Sequence, residues 1–510
     1  MNGRSQKILC LISSFLAGFS VMVVELISSR IVAPIIGASV FTWTSVIGLT
    51  LLGLALGGWL GGKIADTARD NKPLSLAFLC SGIFVSLIPT LAEHTNFITD
   101  SSNSILALNV LISFYLFFIP ATAIGTIQPL ILKKYADSFS SIGSKYGTLS
   151  ASWSIGSMFG VFLTGFFLIS TIGSAETIWL VSLILFLLGA LYALTDTRLL
   201  TVFAISLCIL IAFFYATQET AKANVLFEKE TDYYRAKVID TKLPTLGDAR
   251  VLLLDMDVHS IESAGSRTKI YTDMHPVFSY IKPNLRDILV LGAGAYTLPK
   301  HFKEYYPDSH VTVVETDPEM VHIGNTYFDL ARFSIETVID DAKLFIHKTP
   351  KTYDLIFGDT YNSYISVPWY LLTTEWNGEV RTKLNKNGIY AINFIGSLDG
   401  KDSEFTKSVT NTFALTFPNF YIFAFGQSET DIQNIVLVGV NGDLPLANAD
   451  LLKKLAQNNL RPFARMLVDQ QNIIDSESII LTDNFSPVER LMSPIVTRYF
   501  PDNLKFIRNI

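Results

Sequence analysis

The sequence predicts an N-terminal all-α polytopic membrane bundle joined to a C-terminal α/β domain built on a parallel sheet. Three observations lead there. Residues 1–216 are a series of long apolar runs, each near the ~20 residues a helix needs to cross hydrocarbon. From residue 217 onward, short apolar runs alternate with amphipathic stretches. The charge also divides: residues 1–216 hold 10 Lys+Arg and 8 Asp+Glu, whereas the remainder holds 29 basic and 37 acidic residues. A length of 510 residues suits more than one domain, and the pattern divides it at 1–216, 217–280 and 281–510.

Seven segments are apolar enough to span: about 8–29, 41–62, 75–92, 105–132, 148–169, 175–195 and 199–216. The start, MNGRSQK before an apolar run, is read as a span and not as a cleaved leader, because no small-residue cleavage site is clear and more spans follow. The fourth segment carries Pro120, Gly125 and Pro129, which predict a kink or a span followed by an interfacial piece. Gly53, Gly57, Gly58, Gly61 and Gly62 in the second segment, and Gly156, Gly160 and Gly165 in the fifth, are read as positions of close helix approach. Glu25 is a carboxylate inside the first span, with Arg30 five residues on. It is either a functional group or a wet or Arg30-paired one. Basic residues Arg4, Lys7, Lys63, Arg69, Lys72, Lys133, Lys134, Lys145 and Arg198 flank alternate loops and place the N-terminus in the cytoplasm. A multi-pass cell (inner) membrane protein follows, with the lipid bilayer as a partner. An odd span count puts the C-terminal domain outside, while its chemistry calls for a nucleotide made inside. The side is left open.

Cys10, Cys80 and Cys208 all sit in apolar runs, so neither a disulfide framework nor a Cys-based metal site is expected in the soluble part. His259, His275, His301, His310, His322 and His347 show no ligand spacing, so no metal is expected. There is no basic patch or tail, which argues against nucleic acid as a partner.

In the C-terminal part, five runs read as buried strands: 287–294, 310–317, 337–342, 353–361 and 388–396. Ligands of such sheets bind beyond the carboxyl ends of the strands. Gly292 and Gly294 follow the first strand, where glycine lets a ligand approach the backbone. Glu315 ends the second and can accept two hydrogen bonds from a ribose diol. Asp341 and Ala342 end the third, where a carboxylate can meet an adenine amino group. Asp359 ends the fourth, near Tyr361. Each acid alone fits a solvated strand end or a helix cap equally well; the ordered set of turn, acid, acid and acid is far more specific. No G-x-x-x-x-G-K-[ST] is present, and three carboxylates suit a sulfonium and an amine better than a phosphate.

At this point the sequence resembles the spermidine synthase family over roughly 225–490, including its fused form with membrane helices ahead of the synthase domain. Glu25, Arg30, Pro34, Gly37 and GLALGGWLGGKIAD carry the resemblance in the membrane part; LGAGAYTLP, VVETDP, DDA, FGDTY and LTDNFSPVE carry it in the synthase part. The resemblance implies a Rossmann-like, methyltransferase/spermidine synthase-type domain preceded by a small β-rich part. It implies a polyamine-biosynthesis transferase that moves an aminopropyl group from decarboxylated S-adenosylmethionine to an amine such as putrescine, leaving methylthioadenosine. Asp359 would be the catalytic aspartate and Tyr271 its neighbour beside the amine groove. Glu315, Asp341, Ala342, Gly292 and Gly294 would hold the nucleoside. His259, Asp273, Tyr361 and Asn362 would line the amine site, and Asp255 aligns with the strand that carries His259. The chain departs from the family at Ala295 and Asn362, where aspartates are usual, at Thr272 for histidine and at His259 for glutamine. A homodimer is left open. Two other readings remain beside this one: a different S-adenosylmethionine-type transferase on the same fold, and a non-catalytic transporter or sensor of polyamines or nucleosides.

Overall fold

A computed structural model describes residues 3–509 except 102–103, 137–140, 195, 219–223, 245, 264–270, 361–366, 444–445 and 459. It divides into a helical unit, Met1–Ala223 with Lys229–Arg235, and a C-terminal unit, Asn224–Glu228 with Ala236–Ile510.

Six helices of the first unit are long and apolar enough to cross a membrane: α1 (Arg4–Ile36), α2 (Val40–Thr67), α3 (Lys72–Glu93), α4 (Ile105–Tyr135), α5 (Ile142–Thr171) and α6 (Ser174–Ala193). The seventh predicted segment forms helix Thr197–Gln218, described in its side chains largely to Cys208. α4 carries a π-helical turn at Phe114–Phe118 and is interrupted at Thr126, between Gly125 and Pro129; α5 has a π turn of its own at Thr164–Leu168. Glycines set the closest packing. A Cβ at Gly156 would fall 1.9 Å from the Phe15 carbonyl oxygen of α1, and one at Gly57 would fall 2.1 Å from the Thr122 oxygen of α4. Gly53 and Gly61 likewise face α4, but Gly58 and Gly62 face nothing within 4 Å. Only one face of the α2 glycine run therefore packs against a neighbour. Outward positions such as Leu51, Trp59, Phe162 and Phe166 are apolar and exposed, as a lipid-facing surface requires. Arg30 does not pair with Glu25: its guanidinium donates to the backbone carbonyls of Thr231 and Asp232.

The C-terminal unit opens with a four-stranded antiparallel sheet, β1 (Val225–Glu230) to β4 (Asp257–Ser263), with β2 (Arg235–Leu243) and β3 (Gly247–Leu254) between them in chain order. An eight-stranded sheet follows. Its parallel part runs in spatial order β9 (Leu384–Gly396), β8 (Tyr353–Gly358), β5 (Asp287–Leu291), β6 (His310–Glu315) and β7 (Ile335–Ile339). β10 (Phe420–Ala424), β11 (Gln433–Val440) and β12 (Leu467–Val468) extend the β9 edge in antiparallel fashion, so the sheet is mixed and larger than the five predicted strands. All six residues of β8 are buried, as expected for a strand covered on both faces. The third predicted strand ends three residues early, at Ile339: Asp340 leaves it, and Ala342 begins helix α7 (Ala342–Lys348).

Candidate active site

The chain leaves β5 toward β6 and β7 on one side, and returns at β8 to build the other. The crevice between the carboxyl ends of β5 and β8 is thus the topological switch point, where ligands bind in such sheets. Gly292 closes this point. Its N–H donates to the Val314 carbonyl at 2.9 Å, its φ is +93°, and a Cβ there would lie 2.2 Å from the Asp359 carbonyl oxygen. The Asp359 N–H in turn donates to the Leu291 carbonyl at 2.8 Å. Only glycine allows the two strand ends to come this close.

Glu315, at the end of β6, is buried. Its Oε2 accepts the Ala293 N–H at 2.8 Å and its Oε1 the Asp317 N–H at 2.9 Å. Burial raises its pKa above the ordinary carboxylate value, and the two backbone donors only partly oppose this. Oε1 also accepts the Thr316 hydroxyl at 3.2 Å, so Oε2 is the oxygen that keeps a free lone pair. Asp341 follows β7 and caps α7: Oδ1 accepts from Lys343 N at 2.9 Å and Leu344 N at 3.0 Å, while Oδ2 accepts from the Tyr370 hydroxyl at 3.3 Å. The capping role expected of an isolated acid and a place on the shared rim coexist here.

Asp359 ends β8. Its Oδ2 accepts the Tyr271 hydroxyl at 2.9 Å and its Oδ1 the Asn393 side-chain amide, from β9, at 3.0 Å. Desolvation raises the Asp359 carboxyl above its usual value; Asn393 and Tyr271 pull it back in part. Burial, then the Asp359 charge, holds the Tyr271 hydroxyl well above 10, so it stays a donor. Tyr271 lies edge-on to Phe425, with ring centroids 6.5 Å apart. From β7 to β8 the rim therefore presents Asp341, Glu315, the Gly292 turn and Asp359 in order, an acceptor-rich edge around a backbone notch.

Comparison with known proteins agrees in sequence. Over 222 residues the chain is 28% identical to the polyamine aminopropyltransferase of Vibrio vulnificus, covering 41% of this chain and 71% of that one. The C-terminal unit is thus similar in sequence to polyamine aminopropyltransferases, the spermidine synthase family. A second relative, polyamine aminopropyltransferase 2 of Aquifex aeolicus, is 22% identical over 401 residues, 74% of this chain and 77% of its own. That stretch is longer than the C-terminal unit, so the likeness reaches into the helical unit. A solved structure of a probable spermidine synthase from Corynebacterium glutamicum matches with a TM-score of 0.41 and 20% identity, over 52% of this chain and 99% of that one. No protein-family model matches the chain.

Other positions singled out within this spermidine synthase-type domain are distributed less uniformly. His259 lies on β4, and its carbonyl oxygen is 3.8 Å from where a Cβ on Gly294 would stand; neighbouring Ser260 accepts the Ala295 N–H at 3.0 Å. The β4 strand thus reaches the glycine loop. Asp273 sits two residues from Tyr271 but approaches His301 at 3.5 Å, and Thr272 is buried. Asp255 occupies the β3–β4 turn with φ +53°. Ala342 is buried at the start of α7. Tyr361 and Asn362 lie outside the described residues.

Asn393, Ser260 and Tyr370 escaped sequence reading. For Asn393 a signal existed: it is the one polar residue within the apolar run IYAINFIG. An open groove of about 570 Å³ lies elsewhere, lined by Asp240, Lys242, Arg250 and Glu262 among others. Arg250 there pairs with Asp240, and Glu262 with Lys300, so its charges compensate one another. Strand-end chemistry marks the site better than volume does. Among the described residues, no group of three or more His, Cys, Asp or Glu side chains is arranged to hold a metal.

Proposed function

We propose that the chain is a membrane-tethered aminopropyltransferase. It would move the aminopropyl group of decarboxylated S-adenosylmethionine to a small amine such as putrescine. The observation that carries this reading is the Asp359 carboxylate, held by Tyr271 and Asn393 beside the Gly292 notch. Glu315 offers the remaining lone pair of Oε2 to a ribose hydroxyl, and Asp341 with the Ala342 backbone would meet an adenine edge. The acid-rich rim favours a sulfonium cation and a cationic amine chain.

In the reaction, the neutral amine nitrogen attacks the methylene next to sulfur. The new C–N bond forms as the C–S bond breaks, and the bonding pair leaves on sulfur as a neutral thioether, methylthioadenosine. The nitrogen then sheds a proton to the Asp359 carboxylate. A carboxyl raised by burial is a stronger base than a solvated one, and its two donors fix its direction toward the nucleophile. Positioning the two reactants in line supplies much of the acceleration.

The test is product formation by purified full-length protein given putrescine and decarboxylated S-adenosylmethionine. Methylthioadenosine and spermidine are expected in equal amounts, with both lost in Asp359→Asn. A second reading has its own observation. Ala295 is fully buried where the family usually places an aspartate for the aminopropyl ammonium, so the site lacks that anchor. This favours S-adenosylmethionine itself as the donor and a methyl group as cargo. S-adenosylhomocysteine in place of methylthioadenosine would decide for it.

A further inference from the structure

We propose that the helical unit carries an amine-binding site of its own, at the seam of α1 and α5, with Glu25 as the anionic partner of an organic ammonium group. The seam's register places the residues. Gly18 of α1 packs on Trp153 and Ser157 of α5, Phe19 and Met22 on Gly160, and Leu26 on Gly165. Glu25 therefore stands level with Thr164. One turn on either side of Glu25 along α1, Val21, Ser28 and Ser29 are buried, while Met22 and Glu25 itself are half-buried.

Two buried atoms near that level lack a partner among the described residues: Oε2 of Glu25 and Oγ1 of Thr164, a residue with no exposed surface. The lone hydroxyl is out of pattern. Ser20, Ser28, Ser81, Thr122 and Thr177 in these helices each donate to the carbonyl four residues back. Thr164 does not, and it opens the π turn of α5. Ser113 on α4 repeats the arrangement: it is buried, its hydroxyl is unpartnered, and the π turn Phe114–Phe118 begins at the next residue. α4 also packs on α1. The α1–α2 hairpin and the contact of Gly53 with Phe118 put Ser113 within about one turn, ~5 Å, of the depth of Glu25. π turns inside helices occur frequently at functional sites.

A carboxylate that is ionised in hydrocarbon needs a counter-charge, and the nearby Arg30 is committed to backbone carbonyls. The missing partner must bring a positive charge and several N–H donors, because what stands ready is a carboxylate oxygen and two hydroxyls. A primary ammonium supplies both. A hard metal ion would ask for more carboxylate and carbonyl ligands than one acid and two hydroxyls. The preference for an amine also rests on the aminopropyltransferase reading of the other unit.

Equilibrium binding of radiolabelled putrescine to the full chain in lipid nanodiscs tests this. Glu25→Gln should remove one bound equivalent per chain while leaving aminopropyl transfer unchanged, and Thr164→Val should weaken the same equivalent at least threefold. Glu25→Asp, which keeps the charge, serves as the folding control and should retain measurable binding. Unchanged stoichiometry and affinity in Glu25→Gln would overturn the proposal. So would sodium binding that depends on Glu25 with no amine bound there. If the parent shows no transfer but Glu25→Gln still loses one amine, the active-site reading has failed and the membrane site stands.

Discussion

Tyr271→Phe removes one hydroxyl from the candidate site and nothing else, and its cost follows from geometry. The phenol donates to the Asp359 carboxylate at 2.9 Å in a desolvated setting. A hydrogen bond to a charged group contributes about 1.5–3 kcal/mol. If that contact orients the base in the transition state, kcat/KM should fall roughly 10- to 100-fold. The pH profile carries a second signature. Tyr271 lowers the Asp359 pKa, so its loss must raise it. The ionised carboxylate is the active base, so the acidic limb of kcat/KM should move to higher pH. The defect should then be greatest in acid and shrink as the pH rises. Tyr271 itself stays protonated across this range because its own pKa lies well above the ordinary tyrosine value. Initial rates of methylthioadenosine release against pH, for parent and variant, measure both effects. A loss below twofold, or an acidic limb that stays put or moves to lower pH, would refute the assigned role. Asn393→Ala should shift the limb in the same direction, since that amide also lowers the Asp359 pKa.

Asp359→Asn should be inactive yet more stable. Burial makes the folded protein hold the Asp359 proton to higher pH than the unfolded chain does, so ionisation costs stability once the pH exceeds the ordinary carboxylate value. The variant's melting midpoint should exceed the parent's at about pH 8 and converge with it near pH 4. Gly292→Ala should unfold or inactivate the C-terminal unit, because its Cβ would strike the Asp359 carbonyl at 2.2 Å and its φ is +93°. Gly294→Ala, whose nearest neighbour is the Ser260 hydroxyl at 3.2 Å, should cost only about 1 kcal/mol, measured by chemical denaturation. In the helical unit, Gly156→Leu should separate α1 from α5 and lower thermal stability in detergent. Gly62→Leu, which faces open space, should leave it unchanged.

Much of this was legible along the chain because it depends on local or periodic quantities. Hydrophobic length alone marks the spans, since a bilayer sets a minimum for each. Apolar strands followed within a few residues by Gly292, Glu315, Asp341 and Asp359 disclose a parallel sheet and the edge proposed as its site, because every such strand ends on one side. What tertiary structure decided is what depends on pairing between distant segments. The antiparallel strands β10, β11 and β12 are apolar like the others, and only hydrogen-bonded register distinguishes their direction. Asn393 joins Asp359 across 34 positions of sequence, and Tyr271 joins it across 88. Asp273 approaches His301 while Tyr271, two residues before it in the same short 3-10 helix, reaches Asp359. Glu25 was visible as a charge in a membrane helix; that Arg30 is engaged elsewhere and Thr164 stands level with it follows only from packing. A sequence specifies which groups exist and how far apart they lie along the backbone, whereas contact energies fall off over a few ångströms and are settled by which surfaces the fold brings together.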